Sequence, residues 1–113
     1  MTTDFPNIVL IMTDNQPADA VGCYGNDEIY TPNLDALAAD GIRFNNAYCP
    51  NAMCSPSRAS VWSGRMPCQH GVHTWLNDKL MDQWPEDWNA IAEFDTLPEI
   101  LNRNGYATAM IGK

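Results

Sequence analysis

A continuous apolar run near the amino terminus constrains the fold of this chain most. Residues 7–12 have the sequence Asn-Ile-Val-Leu-Ile-Met. Because such β-branched runs are typical of strands buried on both faces of a parallel sheet, the run predicts a central strand. Weaker strand patterns at 42–48 and 106–111 alternate with capped helical patterns at 31–41 and 96–105. This alternation predicts an α/β fold, with helices flanking the sheet.

Polar or charged residues follow two of the predicted strands. Asp14 and Asn15 come after the first strand, and Lys113 comes after the last. Ligand sites of open α/β sheets lie beyond the carboxyl ends of strands, and a hard cation takes carboxylate and amide oxygens. An Asx turn that ends the strand is the alternative explanation of the Asp-Asn pair. Local sequence alone favours the turn over the metal site.

The segment from Cys54 to Gly64 predicts a helix with an anion site at its start. Pro56 suits a first helical turn, where its missing N–H is not needed, and Gly64 is a natural helix stop. Cys54 would then lie at the helix N-terminus, where the macrodipole favours negative charge. Arg58, one turn further, adds a cation suited to tetrahedral oxyanions. Thiol-based phosphatases also pair cysteine with arginine at such a terminus, but their longer spacing between the two excludes them here.

A long region without periodicity, residues 65–95, follows this helix and predicts a loop of functional length. The region contains three of the four tryptophans and both histidines, namely Trp75, Trp84, Trp88, His70 and His73. Aromatic residues in such loops either line a pocket or anchor the loop to the core, and anchoring is the commoner role. We interpret His70 as a structural turn residue.

Charge and hydropathy exclude several classes of protein. The formal charge of −8 over 113 residues disfavours nucleic-acid binding, which usually shows a basic face. The apolar run is too short for a membrane span or a signal peptide core, which predicts a cytoplasmic protein, or a periplasmic one if a leader was removed. The four cysteines include no C-x-x-C pair, so neither a disulfide framework nor a zinc knuckle is predicted.

The order of motifs resembles that of the type I sulfatases of the alkaline-phosphatase-like superfamily. The main match is Cys54-Ser55-Pro56-Ser57-Arg58, followed by Ser63-Gly64 and His70-Gly71-Val72. The opening strand with Thr13-Asp14, the Thr-Pro-Asn-Leu-Asp of 31–35 and the closing Gly112-Lys113 occur in the family's order. The resemblance covers nearly the whole chain except residues 73–95. It implies a mixed, mostly parallel sheet flanked by helices, of which 1–113 would be the N-terminal fragment of a single sulfatase catalytic domain.

The resemblance also implies a sulfuric ester hydrolase and a role for each matching residue. A maturation enzyme would oxidise Cys54 to formylglycine, whose hydrate would be the nucleophile. Arg58 would hold that hydrate, and Lys113 would bridge the nucleophile and a substrate oxyanion. Asp14 and Asn15 would bind calcium together with an oxygen of the modified residue 54.

One departure from the family pattern concerns the metal. Many members have two aspartates where this chain has Asp14-Asn15, so one negative charge fewer predicts weaker metal binding. The resemblance further implies that the substrate is a small-molecule sulfate ester and that residues beyond 113 complete the site. The fragment alone is therefore expected to be inactive.

Two other functions remain open on the sequence. Phosphonate monoester and phosphodiester hydrolases of the same superfamily share the Cys-x-Pro-x-Arg signature, and sulfate and phosphoryl groups are similar tetrahedral anions. A non-catalytic, calcium-dependent binding module with an unmodified Cys54 belongs to a different class.

Overall fold

The computed structural model describes residues 5–76, 85 and 88–112, which form four α-helices and two short 3-10 helices. The α-helices are α1 (Pro32–Asp40), α2 (Cys54–Ser63), α3 (Pro67–His70) and α4 (Leu97–Arg103), and the 3-10 helices are Ala18–Ala20 and Gly22–Tyr24. The chain divides into two compact units, Met1–Ala47 and Tyr48–Lys113. The first unit contains α1 and both 3-10 helices, and the second contains α2, α3 and α4. Within the described ranges, no helix has the length and apolar character needed to cross a bilayer.

The three helices predicted from capping and stop signals are confirmed. Helix α1 begins with Pro32 and ends before Gly41. Helix α2 ends at Gly64, which has a φ of 65° in the left-handed region that glycine adopts without steric cost. Helix α4 follows Thr96, and its first turn contains the acidic residue Glu99. These boundaries follow from local chemistry, which explains why the sequence pattern located them.

The sheet predicted for this chain is not formed by the described residues, which contain no β-strand. The segments 7–12, 42–48 and 106–111 are irregular. A strand requires the backbone hydrogen bonds of a neighbouring strand, and its apolar side chains require a covering layer. Among the described residues, no strand pairs with these segments, and their apolar side chains are uncovered, since Val9 is 80% exposed and Ile111 is 97% exposed.

A hydrogen-bonded cluster joins the second 3-10 helix to α1 within the first unit. The Gly22 N–H donates to Thr31 Oγ1 at 2.8 Å, and the Cys23 N–H donates to Asp35 Oδ1 at 2.7 Å. The Thr31 hydroxyl in turn donates to the Asp35 carboxylate at 3.1 Å. Thr31 therefore occupies the predicted N-cap position of α1, but its hydroxyl holds the preceding loop rather than capping the helix.

Helix α2 lies at the centre of the second unit, where it packs against α3 and α4. Among the side chains that the structure describes, Pro56 is the largest that is fully buried, and Ala59 and Ser60 are also buried on this helix. His70 and Val72 complete the buried set from the neighbouring segment. Helix α2 thus contributes part of the buried core of the second unit and also carries the cysteine motif.

The apolar side chains of α4 are not buried. Leu97 is 38% exposed and Ile100 is 44% exposed, and no residue of this helix is buried. The hydrogen bonds at the N-terminus of α4 therefore stabilise this helix more than burial does. The Thr96 N–H and hydroxyl both donate to Glu99 Oε2 at 2.7 Å.

Candidate active site

Cys54 is the first residue of α2, as the sequence predicted. Asn51 stabilises the turn that precedes α2, because its Oδ1 accepts the Met53 N–H at 2.8 Å in an Asx-type turn. The first helical hydrogen bond of α2 runs from the Ser57 N–H to the Met53 carbonyl at 3.2 Å. The N–H groups of Cys54 and Ser55 precede that bond, and such groups have no partner inside their own helix. They are the donors that an anion at this terminus would use.

Pro56 and Arg58 complete the first turns of α2. Pro56 lacks an N–H, so its position costs the helix no hydrogen bond, and its ring is fully buried beneath the first turn. Arg58 lies four residues after Cys54, and side chains at this spacing share one face of a helix. Both Cys54 and Arg58 are half-buried, and Cys54 is a free thiol. Cys54 and Arg58 therefore lie on one face at the start of α2.

Serine hydroxyl groups on α2 connect the helix to other segments of the second unit. Ser55 Oγ accepts the N–H of Leu76 at 3.0 Å. Ser57 Oγ lies 2.6 Å from the sulfur of Cys49. These contacts are on the first turn, so they hold the region around Cys54 in place.

His70 supplies a further connection deeper along α2. Its Nε2 lies 2.9 Å from the Ser60 hydroxyl, and its Nδ1 accepts the Val72 N–H at 3.1 Å. Because Nδ1 is an acceptor, the proton of the neutral ring lies on Nε2, which donates to Ser60. His70 is 6% exposed. These contacts fit the structural role predicted for His70, although it ends a short helix and does not lie in a turn.

The sequence reasoning missed α3, which ends in His70. Its signals are present but short: Pro67 is its first residue, and Gly71 follows it with a φ of 75°. Gln69 Oε1 also accepts the Met66 N–H at 2.9 Å, as a capping side chain does. Four residues are too few to produce a helical period, so only these end signals could have located the helix.

The candidate metal ligands Asp14 and Asn15 lie in a bend of the first unit, and both are exposed. Asn15 has a φ of 48°, a left-handed conformation that asparagine tolerates better than most residues. One carboxylate and one amide oxygen on adjacent residues fit a hard divalent cation such as calcium. The described parts of the chain contain no group of three or more metal-ligating His, Cys, Asp or Glu side chains. Asp14 and Asn15 would thus supply part of a coordination sphere.

Two predicted features of the site stay predictions. Lys113 lies outside the described residues. The calcium site predicted at Asp14, Asn15 and residue 54 is the second such feature. What the described residues do establish is a helix N-terminus with a cysteine at its first position and an arginine on the same face. This arrangement is suited to binding a tetrahedral oxyanion beside a reactive side chain.

Comparison with known proteins identifies the family. Residues 6–113 match the sequence profile of the Sulfatase family. The chain is 40% identical over 111 residues to N-acetylglucosamine-6-O-sulfatase of Bacteroides thetaiotaomicron, a match that covers 98% of this chain and 18% of that protein. It is 41% identical over 109 residues to human arylsulfatase A, with 96% and 20% covered, and 35% identical over 108 residues to human steryl-sulfatase, with 96% and 18% covered. No solved structure matches the chain.

The described part of the site thus consists of a free cysteine at a helix N-terminus and an arginine on the same helix face. The chain belongs to the sulfatase family, which implies an alkaline-phosphatase-like α/β fold for the domain that contains it. It spans about a fifth of the length of the curated relatives described above.

Proposed function

We propose that the protein containing this chain is a sulfuric ester hydrolase that uses residue 54, as formylglycine, for nucleophilic catalysis. The observation that supports this most is the position of Cys54 as the first residue of α2, with Arg58 one turn further on the same face. Membership of the sulfatase family and the names of the relatives support the same reaction class.

The residues of α2 are suited to holding the sulfate group. The N–H groups of Cys54 and Ser55 point along the helix axis, and the macrodipole adds to their attraction for an anion. The guanidinium of Arg58 offers a planar pair of donors to two sulfuryl oxygens. Since Pro56 anchors this turn in the core, the backbone N–H donors are held in place before substrate binds and need little reorganisation.

A sulfatase of this kind also needs chemistry that the unmodified side chains do not supply. As formylglycine, residue 54 offers a hydrated aldehyde, which divides one difficult displacement at sulfur into two easier steps. Asp14 and Asn15 would hold a divalent cation, for which we propose calcium, and such a cation polarises sulfuryl oxygens and lowers the pKa of a bound hydroxyl. Lys113 would add a second positive charge toward the substrate.

The proposal also implies partners. A formylglycine-generating maturation enzyme must act on Cys54, and the rest of the catalytic domain must complete the site. The substrate is proposed to be a small-molecule sulfate ester. The proposed location of the protein is the cytoplasm, or the periplasm if a leader was removed.

Steady-state kinetics of the full-length protein, made together with a maturation enzyme, test the reaction class. We expect kcat/KM for para-nitrophenyl sulfate to exceed that for para-nitrophenyl methylphosphonate by at least about tenfold, since both esters have the same leaving group. A preference for the phosphonate would overturn the sulfatase proposal and favour the phosphonate hydrolase alternative. Cys54→Ala should abolish turnover, whereas Cys68→Ala, at an exposed cysteine of α3, is the matched control and should retain it.

A further inference from the structure

The segment from Gly71 to Leu76 lies along α2 and ends at its first turn. Two hydrogen bonds define this path: His70 Nε2 to Ser60 Oγ at 2.9 Å, and the Leu76 N–H to Ser55 Oγ at 3.0 Å. The two serines are separated by about 7.5 Å along the helix axis. Because the later residue of the segment pairs with the earlier serine, the segment runs opposite to α2. It therefore brings residues 75 and 76 to the helix end where Cys54 lies.

Trp75 is the residue immediately before the Leu76 contact. Consecutive Cα atoms are about 3.8 Å apart, so the Trp75 backbone lies within one residue of the first turn of α2. Leu76 is half-buried, but Trp75 is 53% exposed. More than half of the surface of Trp75 is thus open to solvent, which leaves this residue accessible to a ligand.

We propose that Trp75 determines specificity by stacking on a ring in the leaving group of the ester. This inference rests on the proposed function of the same site, because the N-terminus of α2 and Arg58 would hold the sulfate group next to Trp75. Ser55 acts as a positioning residue, since its hydroxyl fixes the backbone beside Trp75. An indole offers a broad apolar face that stacks on an aromatic ring or on the apolar face of a hexose. A short alkyl sulfate has no such face and gains little from it.

Kinetics of the full-length protein with Trp75→Ala and Trp75→Phe test this role. The substrates are para-nitrophenyl sulfate as an aryl ester, a hexose sulfate as a sugar ester, and ethyl sulfate as an ester without a ring. Inorganic sulfate, as a competitive inhibitor, reports on the anion site alone. Trp88→Ala is the matched control, because Trp88 is also exposed, at 42%, and lies outside the Gly71–Leu76 segment.

For Trp75→Ala we expect KM for at least one of the two ring esters to rise about fivefold, with kcat within about twofold of the parent. A rise in KM for para-nitrophenyl sulfate identifies aryl esters as the substrate class, and a rise for the hexose sulfate identifies sugar esters. The KM for ethyl sulfate and the inhibition constant of inorganic sulfate should not change, and Trp75→Phe should retain most of the parent KM. An unchanged KM for both ring esters, or a parallel rise in the inhibition constant of sulfate, would overturn the role of Trp75.

The same variants on para-nitrophenyl methylphosphonate separate this inference from the proposed function. If the protein hydrolyses only the phosphonate, the sulfatase proposal fails. In that case the change in KM for the phosphonate on Trp75→Ala still tests the role of Trp75, because the phosphonate and the sulfate have the same para-nitrophenyl leaving group.

Discussion

His70 Nε2 lies 2.9 Å from the hydroxyl of Ser60, in a buried contact between the end of α3 and the middle of α2. The same imidazole accepts the Val72 N–H on its other nitrogen at 3.1 Å. One side chain thus connects the helix that begins with Cys54 to the segment that leads to Trp75. We expect this contact to stabilise the folded state, and variants of Ser60 and His70 measure its contribution to the free energy of unfolding.

Removing the two partners of this contact should destabilise the protein unequally. Ser60→Ala removes one hydrogen bond and should lower the free energy of unfolding by about 1 kcal/mol. His70→Ala should cost about 2–4 kcal/mol, because it also leaves the Val72 N–H without its acceptor and opens a cavity. Urea unfolding of the single and double variants gives the coupling between the two residues. If the two losses simply add, the hydrogen bond contributes nothing to stability.

Gly22 should not tolerate a larger side chain. A Cβ at this position would lie 2.8 Å from Asp35 Oδ2 and 3.1 Å from Thr31 Oγ1. Because the Asp35 carboxylate is held by the Cys23 N–H, it does not move aside freely, and Gly22→Ala should cost about 1–3 kcal/mol of unfolding free energy. Asp35→Ala removes the obstructing atoms and is the informative partner variant. Thermal unfolding should show that Gly22→Ala costs less in the Asp35→Ala background, and an equal cost in both backgrounds would exclude the steric explanation.

Glu99 should make the stability of α4 depend on pH in the acid range. Hydrogen bonds from the Thr96 backbone and side chain lower the pKa of Glu99 below its ordinary value of 4.5. A carboxylate with a lowered pKa stabilises the folded state above its ordinary pKa, and this stabilisation is lost as the pH falls through the lowered value. Unfolding midpoints measured from about pH 7 to about pH 3 should therefore fall more for the parent than for Glu99→Gln.

Glu93→Gln is the control for this titration, because Glu93 is an exposed glutamate of the same unit. This variant should retain the pH dependence of the parent. Identical acid profiles for the parent and Glu99→Gln would show that the Thr96–Glu99 contact does not contribute to folding stability.

Asn15→Asp should strengthen binding of calcium by the full-length protein. The substitution adds a negative charge next to Asp14, and an added charge near a protein surface contributes on the order of 1 kcal/mol, or about fivefold in affinity. Isothermal titration calorimetry measures this change, with Asn33→Asp on α1 as a control that should leave the affinity unchanged. Equal calcium affinities for the parent and Asn15→Asp would argue against a metal ligand at position 15.

The sequence predicted those parts of the structure that depend on local chemistry. Pro32 and Pro56 in first turns and Gly64 after the last turn located α1 and α2, and the Thr96–Glu99 pattern located α4. The position of Cys54 at a helix N-terminus followed from the same reasoning. Strands differ, because a strand is stabilised by neighbours elsewhere in the chain or outside it, and the described residues supply none for 7–12.

The sequence pattern did not predict contacts between residues that are far apart in the chain. The hydrogen bonds from Gly22 to Thr31 and from Leu76 to Ser55 join positions nine and 21 residues apart. Periodicity and capping signals do not report such pairs. The same limit applies to the site, since the sequence pattern named Cys54 and Arg58 but gave no reason to place the Leu76 backbone beside Ser55.

The mass of residue 54 in the mature protein tests the central claim most directly. Trypsin cleavage after Arg43 and Arg58 releases residues 44–58, a peptide that contains both Cys49 and Cys54. Conversion of one cysteine to formylglycine lowers the peptide mass by about 18 Da, and fragmentation assigns the change to one of the two positions. The account predicts that the loss lies at residue 54 and that the protein containing it hydrolyses para-nitrophenyl sulfate. An intact thiol at residue 54 in protein that still hydrolyses the ester would contradict it.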